Sequence, residues 1–113
     1  MRLSGEAARR RLNTFADGAS LFTVEGGLAS KLFFRVSGEF SFDPDLGYVL
    51  ANRGDTQLFF DPDLIKFCVV AIDEQGNEHL DVSTGVWVFK VVLTNTIQLA
   101  FYRQANSSPI IPD

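Results

Sequence analysis

A mainly β domain follows from three features of the sequence: a wealth of phenylalanine, stretches in which apolar and polar residues alternate, and turn residues between them. Phenylalanine occurs eleven times, against one Met and one Trp, and aromatic side chains suit the pleated, half-buried surface of a sheet. The alternation is clearest over 31–42. There Leu32, Phe34, Val36, Phe40 and Phe42 share one face, and Lys31, Arg35, Ser37, Glu39 and Ser41 the other. The expected architecture is a small, strongly bent antiparallel β-barrel with one N-terminal helix. A compact antiparallel sandwich is the alternative.

Taken in order, residues 4–17 read as the helix. Ser4 stands where an N-cap belongs, Glu6 lies in the first turn where the helix dipole favours an anion, and Gly18 follows the last turn. Ala8, Leu12 and Phe15 recur at the spacing of one apolar face, with Leu3 and Ala8 flanking the cap as a hydrophobic staple. Residues 20–25, before Gly26-Gly27, add a front strand. The strand over 31–42 is about twice the usual length, and Gly38 in its middle is where it can bend. Shorter strands are expected at Tyr48–Ala51, Gln57–Phe60, Ile65–Ile72 and Glu78–Val82. Asp-Pro pairs, Asn52-Arg53-Gly54 and Gln75-Gly76-Asn77 supply the turns between them.

The last hairpin joins Gly85–Leu93 to Thr96–Arg103. Trp87, Phe89, Val91 and Leu93 share a face on one arm, and Ile97, Leu99 and Phe101 on the other. These faces coincide only if Leu93 lies opposite Ile97, with Thr94-Asn95-Thr96 as the loop. Val86, Val88, Val92 and Tyr102 then form a second face too apolar to be left wet; the helix, a curled sheet or another subunit covers it, and we expect a homo-oligomer with residues 85–103 in the contact.

The 113 residues suit a single domain. It is expected over 1–103, with a flexible tail over 104–113. The net charge is −4, and it is uneven: Arg2, Arg9, Arg10 and Arg11 make the first segment basic and leave the body acidic. An acidic body repels a phosphate backbone, so nucleic-acid contact is disfavoured except through Arg9, Arg10 and Arg11. Those arginines also fall where a signal peptide would have its apolar core, and the longest apolar run, Val86–Leu93, is broken by Lys90. Cytoplasmic residence without membrane insertion is the expectation.

Candidate chemistry is sparse. The stretch Phe42-Asp43-Pro44-Asp45-Leu46 is repeated as Phe60-Asp61-Pro62-Asp63-Leu64. Its four carboxylates, Asp43, Asp45, Asp61 and Asp63, have the ligand chemistry of a calcium site. The same residues also make ordinary type I turns, in which Asp opens the turn and Pro presets it. His79 is the only histidine, so a multi-histidine metal site is excluded. Beside Asp81 and Ser83 it reads as one face of a short strand rather than as a catalytic triad. Cys68, the single cysteine, lies between Phe67 and Val69 and reads as a buried thiol. No catalytic residue and no cofactor is expected.

The order of elements over residues 4–103 resembles the Sm-like and SH3-like small barrels: one N-terminal helix, then a bent antiparallel meander whose second strand is over-long and kinked at Gly38. The resemblance is architectural: the Sm family's two sequence motifs are not found, and Arg53-Gly54, which mimics the Arg-Gly step of the second, falls in mid-chain before the final strands. The resemblance implies rings assembled by edge-strand pairing, with RNA contact on the helix-bearing face. From the residues themselves, the expected function is a non-enzymatic module that self-associates or holds a protein partner. An RNA-binding ring and a calcium-dependent binding domain are the alternatives.

Overall fold

The computed structural model describes residues 2–28, 31–71 and 87–103. The strand expected at Glu78–Val82, the side chains of His79, Asp81, Ser83 and Val86, and the tail 104–113 lie outside the described residues. The described elements are β1 (Arg2–Leu3), α1 (Gly5–Phe15), β2 (Asp17–Leu28), β3 (Lys31–Asp43), β4 (Gly47–Asn52) and β5 (Asp55–Phe60). A 3-10 turn (Pro62–Leu64), β6 (Ile65–Val70), β7 (Phe89–Leu93) and β8 (Gln98–Arg103) follow. The mainly β class, with antiparallel strands and one helix near the N-terminus, is as the residue pattern indicates.

All eight strands belong to one sheet, in the order β1-β6-β7-β8-β2-β3-β4-β5. It is therefore neither a two-sheet sandwich nor, among the described residues, a closed barrel, since β1 and β5 remain as its ends. The chain itself forces a curl. Only residues 61–64 lead from β5, at one end, to β6, which neighbours the other end. An extended chain rises at most about 3.6 Å per residue, so the step from Phe60 to Ile65 spans no more than about 18 Å.

Helix α1 is shorter than expected because the chain is drawn into the sheet at Asp17. The Asp17 carboxylate accepts the backbone N–H groups of Ala19 (2.9 Å) and Ser20 (2.8 Å) and the Ser20 hydroxyl (2.9 Å). Such local side-chain bonds compete with the helical ladder and end it. Ser4 occupies the N-cap with extended backbone, but its side chain makes no capping bond. Ala8, Leu12 and Phe15 are buried, as their spacing indicates. β1 carries no periodic signal in two residues; Arg2 and Leu3 simply pair with Val69 and Cys68.

The core is built from rings. Phe89 stacks on Phe15 (4.4 Å between centroids, 14° between planes) and on Phe101 (4.2 Å, 16°), while Phe22 meets Phe89 and Phe101 edge-on. Phe40 continues the cluster to Tyr48, and Tyr48 to Phe60. The Tyr48 hydroxyl satisfies itself on the helix, donating to the Asn13 side-chain oxygen at 2.9 Å and lying 3.2 Å from the Arg9 carbonyl. Offset and edge-on ring pairs contribute about 0.5–1.5 kcal/mol each beyond area burial.

Two glycines are required by close approach. A Cβ on Gly38 would lie 2.2 Å from the Ala51 carbonyl oxygen, so β4 can meet the middle of β3 only there. Gly47 has φ +93°, and a Cβ on it would lie 2.4 Å from the Phe60 carbonyl oxygen.

The β7–β8 register is as its side-chain pattern indicates. Phe89 pairs with Phe101 and Val91 with Leu99, and the Leu93 N–H donates to the Ile97 carbonyl at 2.9 Å. The loop is Thr94-Asn95-Thr96, with Thr96 at φ +70°. Just before β7 the alternation breaks. Val88 donates its N–H to the Phe101 carbonyl at 2.7 Å, although Phe101 is already the partner of Phe89. Two residues thus oppose one, as in a β-bulge, and the facing of Val88 and Trp87 is reset. Val88 is core, 1% exposed, not an outer-face residue as expected. Trp87 is displaced toward the outer side, where the Lys90 ammonium lies 4.6 Å from its ring centre.

Candidate interaction surface

The repeated Asp-Pro-Asp segments come together at one end of the sheet, because β4 pairs with β5 through Tyr48 and Phe60 and Gly47 abuts Asp61. Their carboxylates nevertheless face separate tasks. Asp43 accepts the N–H groups of Asp45 (2.7 Å) and Leu46 (3.1 Å), closing the β3–β4 turn. Asp61 accepts the Asp63 N–H at 2.7 Å and caps the 3-10 turn. Asp63 meets Arg9 at 2.8 Å. Among the described residues, no three His, Cys, Asp or Glu side chains are grouped so as to hold a metal ion. Turn formation accounts for the bonds of Asp43 and Asp61.

The arginines of α1 do not present one free basic row. Arg9 is bound to Asp63, Arg10 lies 3.9 Å from Glu6, and the Arg11 guanidinium sits 5.6 Å from the ring centre of Phe15. Cys68 is fully buried, and burial pushes its thiol up to about 12, so the neutral form persists at physiological pH.

The outer face of the β7–β8 hairpin differs from expectation. Val92 and Tyr102 are only half-buried there, but Val88 has left it for the core. Its remaining neighbours are largely polar: the pairing places Lys90 beside Ala100, Ala100 beside Glu25, and Glu25 beside Arg35. Arg35 grips Glu25 with both Nε (2.8 Å) and a terminal nitrogen. Burial, reinforced by the charge of Glu25 and a hydrogen bond to it, raises the Tyr102 hydroxyl above its ordinary value. No exposed large apolar side chain of the described residues belongs to this hairpin.

Exposed apolar surface lies instead on two strand edges. β3 pairs with β2 almost throughout, but its ladder with β4 covers only Glu39–Asp43. Residues 31–37 therefore show an edge that no described strand pairs. β5 pairs with β4 on one side and ends the sheet on the other. The three most exposed large apolar side chains among the described residues are Phe33 (61%), Leu32 (58%) and Phe59 (56%), and all three sit on these edges. Phe33 falls in sequence on the same side of its strand as Lys31, Arg35, Ser37, Glu39 and Ser41, the one apolar residue among them. Leu32 and Phe59 carried no such signal, since their exposure depends on which strands lack a neighbour.

The fold and surface define a curled antiparallel sheet with a docked helix and two open, aromatic edges. No family model, no curated protein and no solved structure matches the chain.

Proposed function

We propose that this protein is a non-enzymatic assembly module that self-associates by pairing open strand edges. One observation carries the reading: Phe33, Leu32 and Phe59 stand exposed on the unpaired flanks of β3 and β5. An edge strand presents a row of unused N–H and C=O groups, and monomeric proteins blunt such edges with charge, proline or a bulge rather than lining them with aromatics. Pairing with a second copy covers the apolar side chains and satisfies the backbone in one step. The module is thereby similar in habit to the Sm-like barrels, whose rings are joined edge to edge. The RNA-binding and calcium-binding readings draw less support, because Arg9 and Arg10 face carboxylates and the Asp-Pro-Asp side chains close their own turns.

Light scattering on the purified chain at micromolar concentration tests the proposal. An oligomer is expected, with Phe33→Lys and Phe59→Lys each lowering the mass toward the monomer. Both positions are exposed, so circular dichroism should show the fold unchanged. A wild-type monomer, or an oligomer indifferent to both substitutions, sinks the reading.

A further inference from the structure

The register of three strands creates a depression on the outer face of the sheet. Gly27 pairs with Gln98, and Ala100 pairs with Glu25 on one side and Lys90 on the other. Gly27 and Ala100 have little or no side chain, so the larger groups around them leave a shallow groove of about 150 Å³. It is lined by Lys90 on β7, Gln98 and Tyr102 on β8, and Lys31 and Leu32 on β3, so the two lysines belong to the strands on either side of β8 and β2.

The charge of this groove is opposite to that of the protein. Lys31 and Lys90 both line it, and among the described residues neither has a carboxylate partner, whereas Arg9, Arg10 and Arg35 all do. The one acid in the lining, Glu25, is neutralised by the two-pronged grip of Arg35. Two positive charges therefore remain uncompensated in a chain whose net charge is −4. Lys90 is also held in place, its ammonium resting 4.6 Å from the centre of the Trp87 ring. Gln98 adds an amide N–H donor.

We infer that this groove binds a phosphate group, free or as the monoester of a small molecule. A dianion matches the two lysines in charge, and the Lys31 and Lys90 ammonium groups with the Gln98 amide bond its oxygens without displacing the Glu25–Arg35 pair. The volume is below the roughly 300 Å³ at which pockets begin to enclose drug-sized ligands, so the group rather than a whole nucleotide is what enters. The inference goes beyond the assembly reading; the groove shares Lys31 and Leu32 with the open edge of β3, whereas Lys90 and Gln98 belong to β7 and β8, away from it.

Trp87 is the only tryptophan, so its fluorescence reports on the Lys90 ammonium directly. The full chain is titrated with inorganic phosphate and, separately, with glycerol phosphate at constant ionic strength, with chloride and acetate as comparators. A saturable change is expected with the phosphates and not with chloride, and weaker binding with acetate. A response to the ester as strong as to the free ion assigns the site to phosphate monoesters; a response to the free ion alone assigns it to inorganic phosphate. Lys90→Gln and Lys31→Gln should each weaken binding about tenfold or more, as expected for loss of a charge-assisted hydrogen bond. Calorimetry measures this independently of the Trp87 baseline, which Lys90→Gln alters. Light scattering on the same variants separates loss of the ligand from any change in assembly. A response that is linear, equal in chloride, or undiminished in both variants overturns the inference.

Discussion

Replacing Phe89 by alanine should remove the centre of the core and cost the protein about 4–5 kcal/mol. Phe89 is fully buried, stacked between Phe15 at 4.4 Å and Phe101 at 4.2 Å, with Phe22 edge-on at 5.5 Å. Truncating a buried Phe to Ala costs about 3–5 kcal/mol from lost transfer and the cavity left behind. Two stacked partners and one edge-on partner place this site at the upper end. A domain holds about 5–15 kcal/mol in total, so the variant should be close to unfolding at room temperature. Phe89→Leu keeps most of the apolar volume but loses two stacking contacts, about 1–3 kcal/mol. Urea unfolding followed by circular dichroism measures both, and a midpoint shift at unchanged slope isolates stability from compactness. A cycle with Phe15→Leu should give a coupling of about 0.5–1.5 kcal/mol, since Phe15 brings the helix to the same stack. A cost for Phe89→Ala under about 1 kcal/mol would refute this account of the core, and additivity with Phe15→Leu would refute the docking of α1 on Phe89.

Val88→Lys buries an ammonium at a site 1% exposed, so the variant should be unfolded rather than merely dissociated; a folded, soluble Val88→Lys protein would return Val88 to the outer face. Cys68, raised by burial from 9.0 to about 12, should resist a thiol reagent at pH 8 in the native protein and react fully in urea. Because its folded value is the higher one, its contribution to stability is present below pH 9 and is lost as pH rises toward 12, where the unfolded thiol ionises first. Asp17 behaves oppositely: the N–H groups of Ala19 and Ser20 hold its carboxylate below the ordinary 3.8. Its stabilisation is present above that pH and lost as pH falls through the depressed value, so Asp17→Asn should blunt the acid limb of a stability–pH profile. An NMR titration placing Asp17 at or above 3.8 would contradict this.

Residue pattern alone determined the elements whose signals are local. The buried stripe of Ala8, Leu12 and Phe15, the long strand with Gly38 at its centre, and the Leu93–Ile97 closure of the last hairpin all arise from spacing within one or two elements. The turns at Asp43 and Asp61 were legible for the same reason, because each carboxylate bonds an N–H only two residues away. Tertiary structure decided what depends on distant partners. The bulge at Val88 exists because Phe101 and Ala71 both bond its backbone, and that one-residue reset inverted the facing read from strict alternation. The exposure of Leu32, Phe33 and Phe59 follows from strand order, which places β5 at the end of the sheet and stops β4 beside Glu39. The groove of Lys31 and Lys90 needs β8 to pair with β2 across most of the chain, so that Gly27 and Ala100 become neighbours. A strand's own sequence sets which side chains share a face, but only its neighbours decide which face, edge or hollow meets water.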